Sequence, residues 1–216
     1  MGYCKGAHMA FDFMRIDKRE AFDIIVSVLA IALIFTFHYN GMKIAPAPFI
    51  FYMAAAIITL GSGFVLHELA HKYTAIKYGA RARFVAWPSA LALSLAVVII
   101  PQLLFGWSVF LIAPGAVYIY GTRPISVKEN GIISLAGPAT NMVLAVVFLL
   151  PALFLPLPQQ ILGVLGIGFL VNSWLALFNL IPIFPLDGSK VWAWDFRAWI
   201  AAAAIAFIMV NMPVFG

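Results

Sequence analysis

Residues 49–73 read FIFYMAAAIITLGSGFVLHELAHKY, an apolar run that ends in two histidines and a glutamate. A helix needs about 20 mainly apolar residues to cross a bilayer, and this stretch is long enough. The stretch therefore predicts a membrane-spanning helix. Its last third carries ionisable side chains, which are rare in membrane spans and mark sites of function by default.

The composition of the whole chain agrees with a membrane protein. Of its 216 residues, 64% are hydrophobic and 10% are charged, and the mean hydropathy is +1.04. Soluble domains have roughly 45–50% apolar and about 25% charged residues, so a soluble monomer is excluded. Disorder is excluded because apolar side chains are abundant. The net charge of +5 is interpreted as a sign of membrane orientation and not as a nucleic-acid surface.

Apolar stretches of similar length recur along the chain, separated by polar or proline-rich breaks. The predicted spans are 22–39, 49–73, 131–150, 161–180 and 196–210. The first 20 residues are predicted to form a polar lead, which does not resemble a cleavable secretory signal. Residues 182–195 are predicted to be irregular because prolines interrupt them.

The distribution of basic residues predicts the orientation. They lie in the polar lead, after the second span and beside the later loops, whereas only Lys43 falls in the first loop. The positive-inside rule then places the N-terminus in the cytoplasm. This orientation requires residues 84–120 to leave and return on the cytoplasmic side. A short hairpin or re-entrant element is expected there, because the stretch is marginal for two full crossings.

A metal-binding pattern occupies the end of the second span. His67 and His71 are one helical turn apart, so both imidazoles project from the same face and can share one ion. Glu68 is adjacent and is placed to take a proton from water at the metal. The alternative is a set of interhelical hydrogen bonds, but a membrane helix incurs an insertion cost of about 2.5–3.5 kcal/mol for such a group.

A third ligand is needed, because catalytic zinc sites usually have three protein ligands. Asp187 follows an apolar run that Pro182 and Pro185 break, so the chain must leave its helix before the acid. Gly188 is expected to permit a sharp turn after it. That path would carry the carboxylate to a metal held by another helix. The alternative is a loop aspartate beside Lys190.

Asparagines at membrane depth form a further polar group. Asn141 follows Gly137 and Pro138, which are expected to loosen the start of a helix, and its amide suits a substrate carbonyl or a developing oxyanion. Interhelical hydrogen bonding is an equally good interpretation. Asn172 is interpreted as structural. His38 is set aside because it lies at the opposite end of its span.

Three motifs together resemble one known family. His-Glu-Leu-Ala-His at 67–71, Gly-Pro-Ala-Thr-Asn at 137–141 and Asn-Leu-Ile-Pro to Leu-Asp-Gly at 179–188 are similar to the motifs of the site-2 protease family of intramembrane zinc metalloproteases. They occur in the family's order, and the matching region covers more than half of the chain. No PDZ or CBS module is evident, so the resemblance is to a compact form.

The resemblance implies an all-α polytopic membrane protein with about five to six transmembrane helices. It implies one Zn²⁺ in a three-helix core, held by His67, His71 and Asp187, with Glu68 as the catalytic acid/base and Asn141 in contact with the reacting peptide. The chain is expected to be a single membrane-embedded domain over 1–216, with its catalytic core at 49–188.

The resemblance also implies partners and a location. Substrates would be transmembrane proteins, including membrane-anchored regulators, cut in a cell membrane at a site toward the cytoplasm. A small membrane-associated β element is expected at residues 115–120, and its edge is predicted to pair with the unwound substrate. No nucleic-acid partner is expected, and the oligomeric state is not determined. A divalent-metal transporter or a catalytically inactive membrane chaperone of the same fold is the alternative.

Overall fold

The computed structural model describes residues 16–109, 114–120 and 124–213. Most of the polar lead and part of the loop near residue 122 therefore lie outside the described residues. The helices are α1 (Lys18–Asn40), α2 (Pro46–Lys77), α3 (Pro88–Phe105), α4 (Val127–Phe154), α5 (Gln159–Asn179), α6 (Asp187–Trp194) and α7 (Phe196–Val210). Two strands, β1 (Arg81–Ala86) and β2 (Gly115–Tyr120), form a two-stranded sheet.

The protein is an all-α polytopic membrane protein with a small β element, as the sequence predicts. In the described residues, the helices α1 to α5 are each long and apolar enough to cross a membrane, with mean hydropathies of 2.0 to 2.2. The helix α7 is apolar but shorter. The predicted spans lie within a few residues of the observed helices, and span 196–210 coincides with α7.

Local details differ from the predictions at two prolines. Gly137 and Pro138 lie well inside α4, which begins ten residues earlier at a capping box formed by Ser126 and Glu129. The same helix continues through Pro151 to Phe154, four residues beyond the predicted span 131–150. Neighbouring helices in a membrane protein stabilise the backbone groups that a proline leaves free, so a helix continues through it.

The segment predicted to be irregular contains a helix. Residues 182–186 are irregular, as predicted, but α6 begins at Asp187 and continues to Trp194. Asp195 then caps α7 by accepting hydrogen bonds from the backbone N–H groups of Arg197 and Ala198. The prediction of an irregular segment was wrong over α6, because prolines stop only the helix that precedes them.

The described residues form two compact units. One comprises Asp17–Val65 and Phe84–Ala116, with α1, the first part of α2 and α3. In it, α1 buries Ile31, Ile34 and Phe35 against its neighbours, and Gly61 allows close approach of α2 to Val28. A short π-helical segment, Ile57–Gly61, lies in this part of α2.

The segment between β1 and β2 begins and ends at adjacent positions in the structure. The backbone N–H of Trp87 donates to the carbonyl of Pro114 at 2.9 Å, so the two ends of the segment are adjacent. The outward arm is the single helix α3, which is long and apolar enough for a full crossing. Position 115 requires a glycine, because a Cβ there would clash with the carbonyl of Val85.

The other unit comprises Ile16 and the described residues of Leu66–Arg83 and Val117–Gly216. In it, α4 packs against α5 and α6, and α7 packs against α5 and α6. Its buried apolar residues include Ala145 and Phe169 in one group, and Ala176 and Ala206 in another. The ionisable residues singled out in the sequence fall in this unit.

Candidate metal centre

The last part of α2 holds the two imidazoles side by side. His67 and His71 lie one turn apart, and their Nε2 atoms are 3.0 Å from each other. Both residues are buried, with 6% and 7% of their surfaces exposed. The site is about 9 Å from the end of α2, as judged from the six residues that follow His71 and the rise of a helix.

Asp187 reaches the imidazoles from the start of α6. Its Oδ2 lies 3.1 Å from Nε2 of His71 and 3.3 Å from Nε2 of His67. The ligand atoms of His67, His71 and Asp187 all lie within 4.8 Å of one another. The predicted convergence of two separate stretches of chain is thus present in the structure.

The loop before Asp187 is held by contacts to the helices around it. The indole N–H of Trp199 in α7 donates to the carbonyl of Leu180 at 2.7 Å. Gly188 packs against that same residue, and a Cβ at position 188 would clash with the Leu180 carbonyl. The predicted sharp turn at Gly188 was wrong, since this glycine is helical and has no positive φ. Its small size is needed for close packing.

One stripe of α4 contacts both imidazoles. Nδ1 of His71 lies 2.7 Å from the carbonyl oxygen of Ile133, and Nδ1 of His67 lies 2.6 Å from Oδ1 of Asn141. Between these positions, a Cβ on Gly137 would come within 2.5 Å of both Nε2 atoms. Positions 133, 137 and 141 are spaced four apart and so lie on one helical face.

The hydrogen bonds determine which imidazole nitrogens face the centre of the site. A backbone carbonyl only accepts, so Nδ1 of His71 carries the proton and its Nε2 presents a lone pair. The Nδ1 of His67 faces an amide oxygen and carries the proton for the same reason. In their neutral forms the two imidazoles thus direct nitrogen lone pairs toward a carboxylate oxygen, an arrangement that a metal ion or a shared proton can bridge.

This donor set fits zinc. Tetrahedral zinc with bonds of about 2.0–2.1 Å separates neighbouring ligand atoms by about 3.3 Å. The three distances between ligand atoms here are 3.0, 3.1 and 3.3 Å. Gly137 keeps the adjacent space clear, because any side chain there would meet the two Nε2 atoms. Histidine ligands that donate their other N–H to an oxygen are also typical of metal sites.

Asp187 is ionised in this environment. Burial alone would raise the pKa of its carboxyl, but the positive charge that His71 carries when protonated, together with hydrogen bonds to both imidazoles, outweighs burial and lowers the pKa well below its usual range. Lys190 lies one turn along α6, with Nζ 3.6 Å from Oδ1 of Asp187. The same Nζ donates to the carbonyl of Pro185 at 2.8 Å. The two carboxylate oxygens thus face different partners.

Glu68 lies beside the site on α2. It is half-buried and interacts electrostatically with His67, Asp187 and Lys190. The structure therefore brings together the predicted ligands, the predicted acid/base and Asn141 in one unit. By contrast, His38 hydrogen-bonds Ser108 in the other unit, in agreement with its being set aside.

Sequence reasoning missed one contributor to the site and did not identify the partner of a second. The carbonyl of Ile133 carries no sequence signal, because every residue has such a group. Asn172 does carry a signal, a polar residue in an apolar span, and it was interpreted as structural. In the structure its Oδ1 accepts from Nδ2 of Asn141 at 3.0 Å, and Asn141 in turn hydrogen-bonds His67.

The fold and the site define a class of protein: a polytopic helical membrane protein with a buried His-His-Asp group that can hold a metal ion, and an adjacent glutamate. Comparison with known proteins agrees with this class. The chain is 41% identical over 203 residues to Putative zinc metalloprotease MJ0611 of Methanocaldococcus jannaschii, covering 94% of each chain.

Other relatives have similar names. Putative zinc metalloprotease YwhC of Bacillus subtilis is 29% identical over 162 residues, covering 64% of this chain and 68% of the relative. Putative zinc metalloprotease Rip2 of Mycolicibacterium smegmatis is 36% identical over 132 residues, covering 57% of this chain and 50% of the relative. The chain belongs to this family of zinc metalloproteases, a compact site-2 protease-like family. No family model and no solved structure matches it.

Proposed function

We propose that the protein hydrolyses a peptide bond in or near the transmembrane segment of a membrane-anchored protein. The observation that carries this proposal is the convergence of His67, His71 and Asp187 beside Glu68, within helices apolar enough to span a bilayer. A metalloprotease with its centre on such helices has its substrates in the same membrane.

The ligands and the acid/base have separate tasks. His67, His71 and Asp187 would hold the metal ion, and zinc, when bound, supplies Lewis-acid activation of water and of the scissile carbonyl near neutral pH. The Glu68 carboxylate would accept the proton of the attacking water and return it to the leaving amine nitrogen. Lys190 keeps one oxygen of Asp187 occupied, which leaves the other oxygen for the metal.

Asn141 is proposed to contact the reacting peptide. Its Nδ2 donates to Asn172 and its Oδ1 accepts from His67, so the amide lies beside the proposed metal ligands. A donor aimed at the developing oxyanion stabilises the transition state. This role is separate from that of Glu68.

Changing Glu68 to Gln tests the proposal. The substitution keeps the size of the side chain and removes its ability to accept a proton, so we expect zinc binding to persist and cleavage to fall by at least about 100-fold. The measurement is cleavage of a synthetic transmembrane substrate by purified protein in liposomes, with and without a chelator, beside metal analysis. Full activity of the variant would contradict the proposal, and zinc uptake into sealed liposomes without cleavage would favour a transporter.

We further propose that the edge of β2 binds the substrate as an added strand. In the described part of the chain β2 pairs with β1, and Tyr118 and Tyr120 are exposed. An extended peptide can pair with such an edge through main-chain hydrogen bonds, which would also present its carbonyls to the site.

A disulfide trap tests this pairing. In a Cys4→Ser, Glu68→Gln background, Tyr118→Cys should crosslink to single cysteines placed near the scissile bond of the substrate. A cysteine at exposed Leu153, at the far end of α4, is the matched control and should not crosslink. Absence of crosslinks from every position in 115–120 would contradict the pairing.

A further inference from the structure

We propose that Asn172 is a positioning residue for the metal ligand His67 and acts through Asn141. The inference deepens the proposed function, because it concerns the zinc site on which that function rests. It assigns to a residue of α5, which is connected to His67 through Asn141, control over which nitrogen of His67 faces the metal.

The direction of the hydrogen bonds is set at Asn172, the side chain farthest from His67 in this network. Nδ2 of Asn172 lies 2.9 Å from the carbonyl of Gly168, one turn earlier in α5. Because a backbone carbonyl only accepts, the amide nitrogen of Asn172 must face it. Oδ1 of Asn172 is thereby turned toward Asn141.

Each further bond follows from the one before. Oδ1 of Asn172 accepts, so Asn141 must present its Nδ2, at 3.0 Å. Oδ1 of Asn141 then faces Nδ1 of His67 at 2.6 Å, so Nδ1 must carry the proton. The Nε2 lone pair of His67 is left to face His71 and Asp187.

The three side chains are isolated from water. Asn141 and Asn172 are fully buried, and His67 is 6% exposed. Hydrogen bonds at such depth have no water to replace them, so the order of donors and acceptors is maintained.

Without the Asn172 acceptor, Asn141 loses the hydrogen bond that turns its Nδ2 away from His67. Its amide can turn so that Nδ2 faces Nδ1 of His67, and the imidazole proton then moves to Nε2. A protonated Nε2 cannot bind a metal ion. Loss of Asn172 should therefore weaken zinc binding although Asn172 never touches zinc.

Zinc affinity of the full-length protein in detergent tests the proposal, by competition with a chromophoric chelator. Asn172→Leu keeps a similar volume without an acceptor, and we expect zinc binding about 10–100-fold weaker than in the wild type. Ser173→Ala is the matched control: Ser173 is also fully buried, and its hydroxyl donates to the carbonyl four residues earlier. Its zinc affinity should be unchanged, and equal losses in both variants would overturn the proposal.

Asn172→Asp separates positioning from a merely structural role. In its protonated form the acid can donate to Gly168 and accept from Asn141 as the amide does, so zinc affinity should stay within about threefold of the wild type. A loss as large as that in Asn172→Leu would overturn the proposal. This variant decides the question if Asn172→Leu fails to fold, as judged by circular dichroism and thermal unfolding of the zinc-free protein.

A double-mutant cycle tests the route through Asn141. If Asn172 acts only through Asn141, the double variant Asn141→Leu, Asn172→Leu should bind zinc no more weakly than Asn141→Leu alone. Additive losses would overturn the route. Because the readout is zinc affinity, a protein that binds zinc as expected but cleaves no peptide would contradict the proposed function and leave this inference standing.

Discussion

Each imidazole of the metal centre uses its two nitrogens for different contacts. In His67 and His71, Nδ1 hydrogen-bonds an oxygen of α4, and Nε2 faces the partner imidazole and Asp187. The H-E-x-x-H spacing predicts that the two side chains share a face. The spacing carries no information about the hydrogen bonds at the Nδ1 atoms, because their acceptors belong to residues more than 60 positions away.

Gly137 offers a prediction at the residue scale. In Gly137→Ala the new Cβ would lie 2.5 Å from both Nε2 atoms, so we expect zinc binding at least about 100-fold weaker. The measurement is zinc content and affinity of the purified variant. Gly163→Ala in α5 is the control, because a Cβ there meets nothing within 4 Å. Normal zinc binding by Gly137→Ala would show that the site lies elsewhere.

At the scale of the elements, α4 supplies three kinds of contact from a single stripe. A backbone carbonyl at Ile133, an open position at Gly137 and an amide at Asn141 face the imidazoles of α2 in turn. His71 pairs with the earlier position and His67 with the later one, so the two helices run in opposite directions through the site. The loop before α6 then delivers the carboxylate.

The position of that loop depends on close packing at Gly188. Gly188→Ala would place a Cβ against the carbonyl of Leu180, which the Trp199 indole also holds. We expect the start of α6 to shift and zinc affinity to fall about 10–100-fold, because Asp187 is the adjacent residue.

Trp199→Phe tests the hydrogen bond from the indole to the same loop. The phenyl ring keeps most of the packing and removes only the donor to Leu180, so its effect on zinc affinity should be smaller than that of Gly188→Ala. The opposite order would indicate that the indole hydrogen bond, and not close packing at Gly188, positions the loop.

At the scale of the whole molecule, the distribution of basic residues indicates which side of the membrane the site faces. We propose that the N-terminus and the metal centre lie toward the cytoplasm, because Lys43 is the one basic residue in the loop between the first two spans, whereas basic residues follow α2 closely. The geometry of the site is independent of this assignment.

Cysteine labelling of intact cells measures the orientation. In a Cys4→Ser background, Lys43→Cys should react with a membrane-impermeant maleimide from outside. Lys77→Cys, also exposed on the protein, should react only after permeabilisation. The reverse pattern would mean that the protein is inserted the other way round.

The sequence alone determined the fold class, the approximate spans, and which two histidines, aspartate and neighbouring glutamate come together as the candidate site. These depend on local properties: an apolar run long enough for the bilayer, two histidines one turn apart, and a helix that ends before Pro182. Ionisable side chains are costly in a membrane, so the few present in or beside the apolar helices marked the site.

Only the tertiary structure decided how the ligands are held. It showed that positions 137 and 188 require glycine, because neighbouring atoms leave no room for a Cβ. It also showed that Asn172 is connected to His67 through Asn141. The physical reason is that close approach and hydrogen-bond direction depend on which helices become neighbours. Residues far apart in the chain acquire these roles only when α2, α4, α5 and α6 pack together.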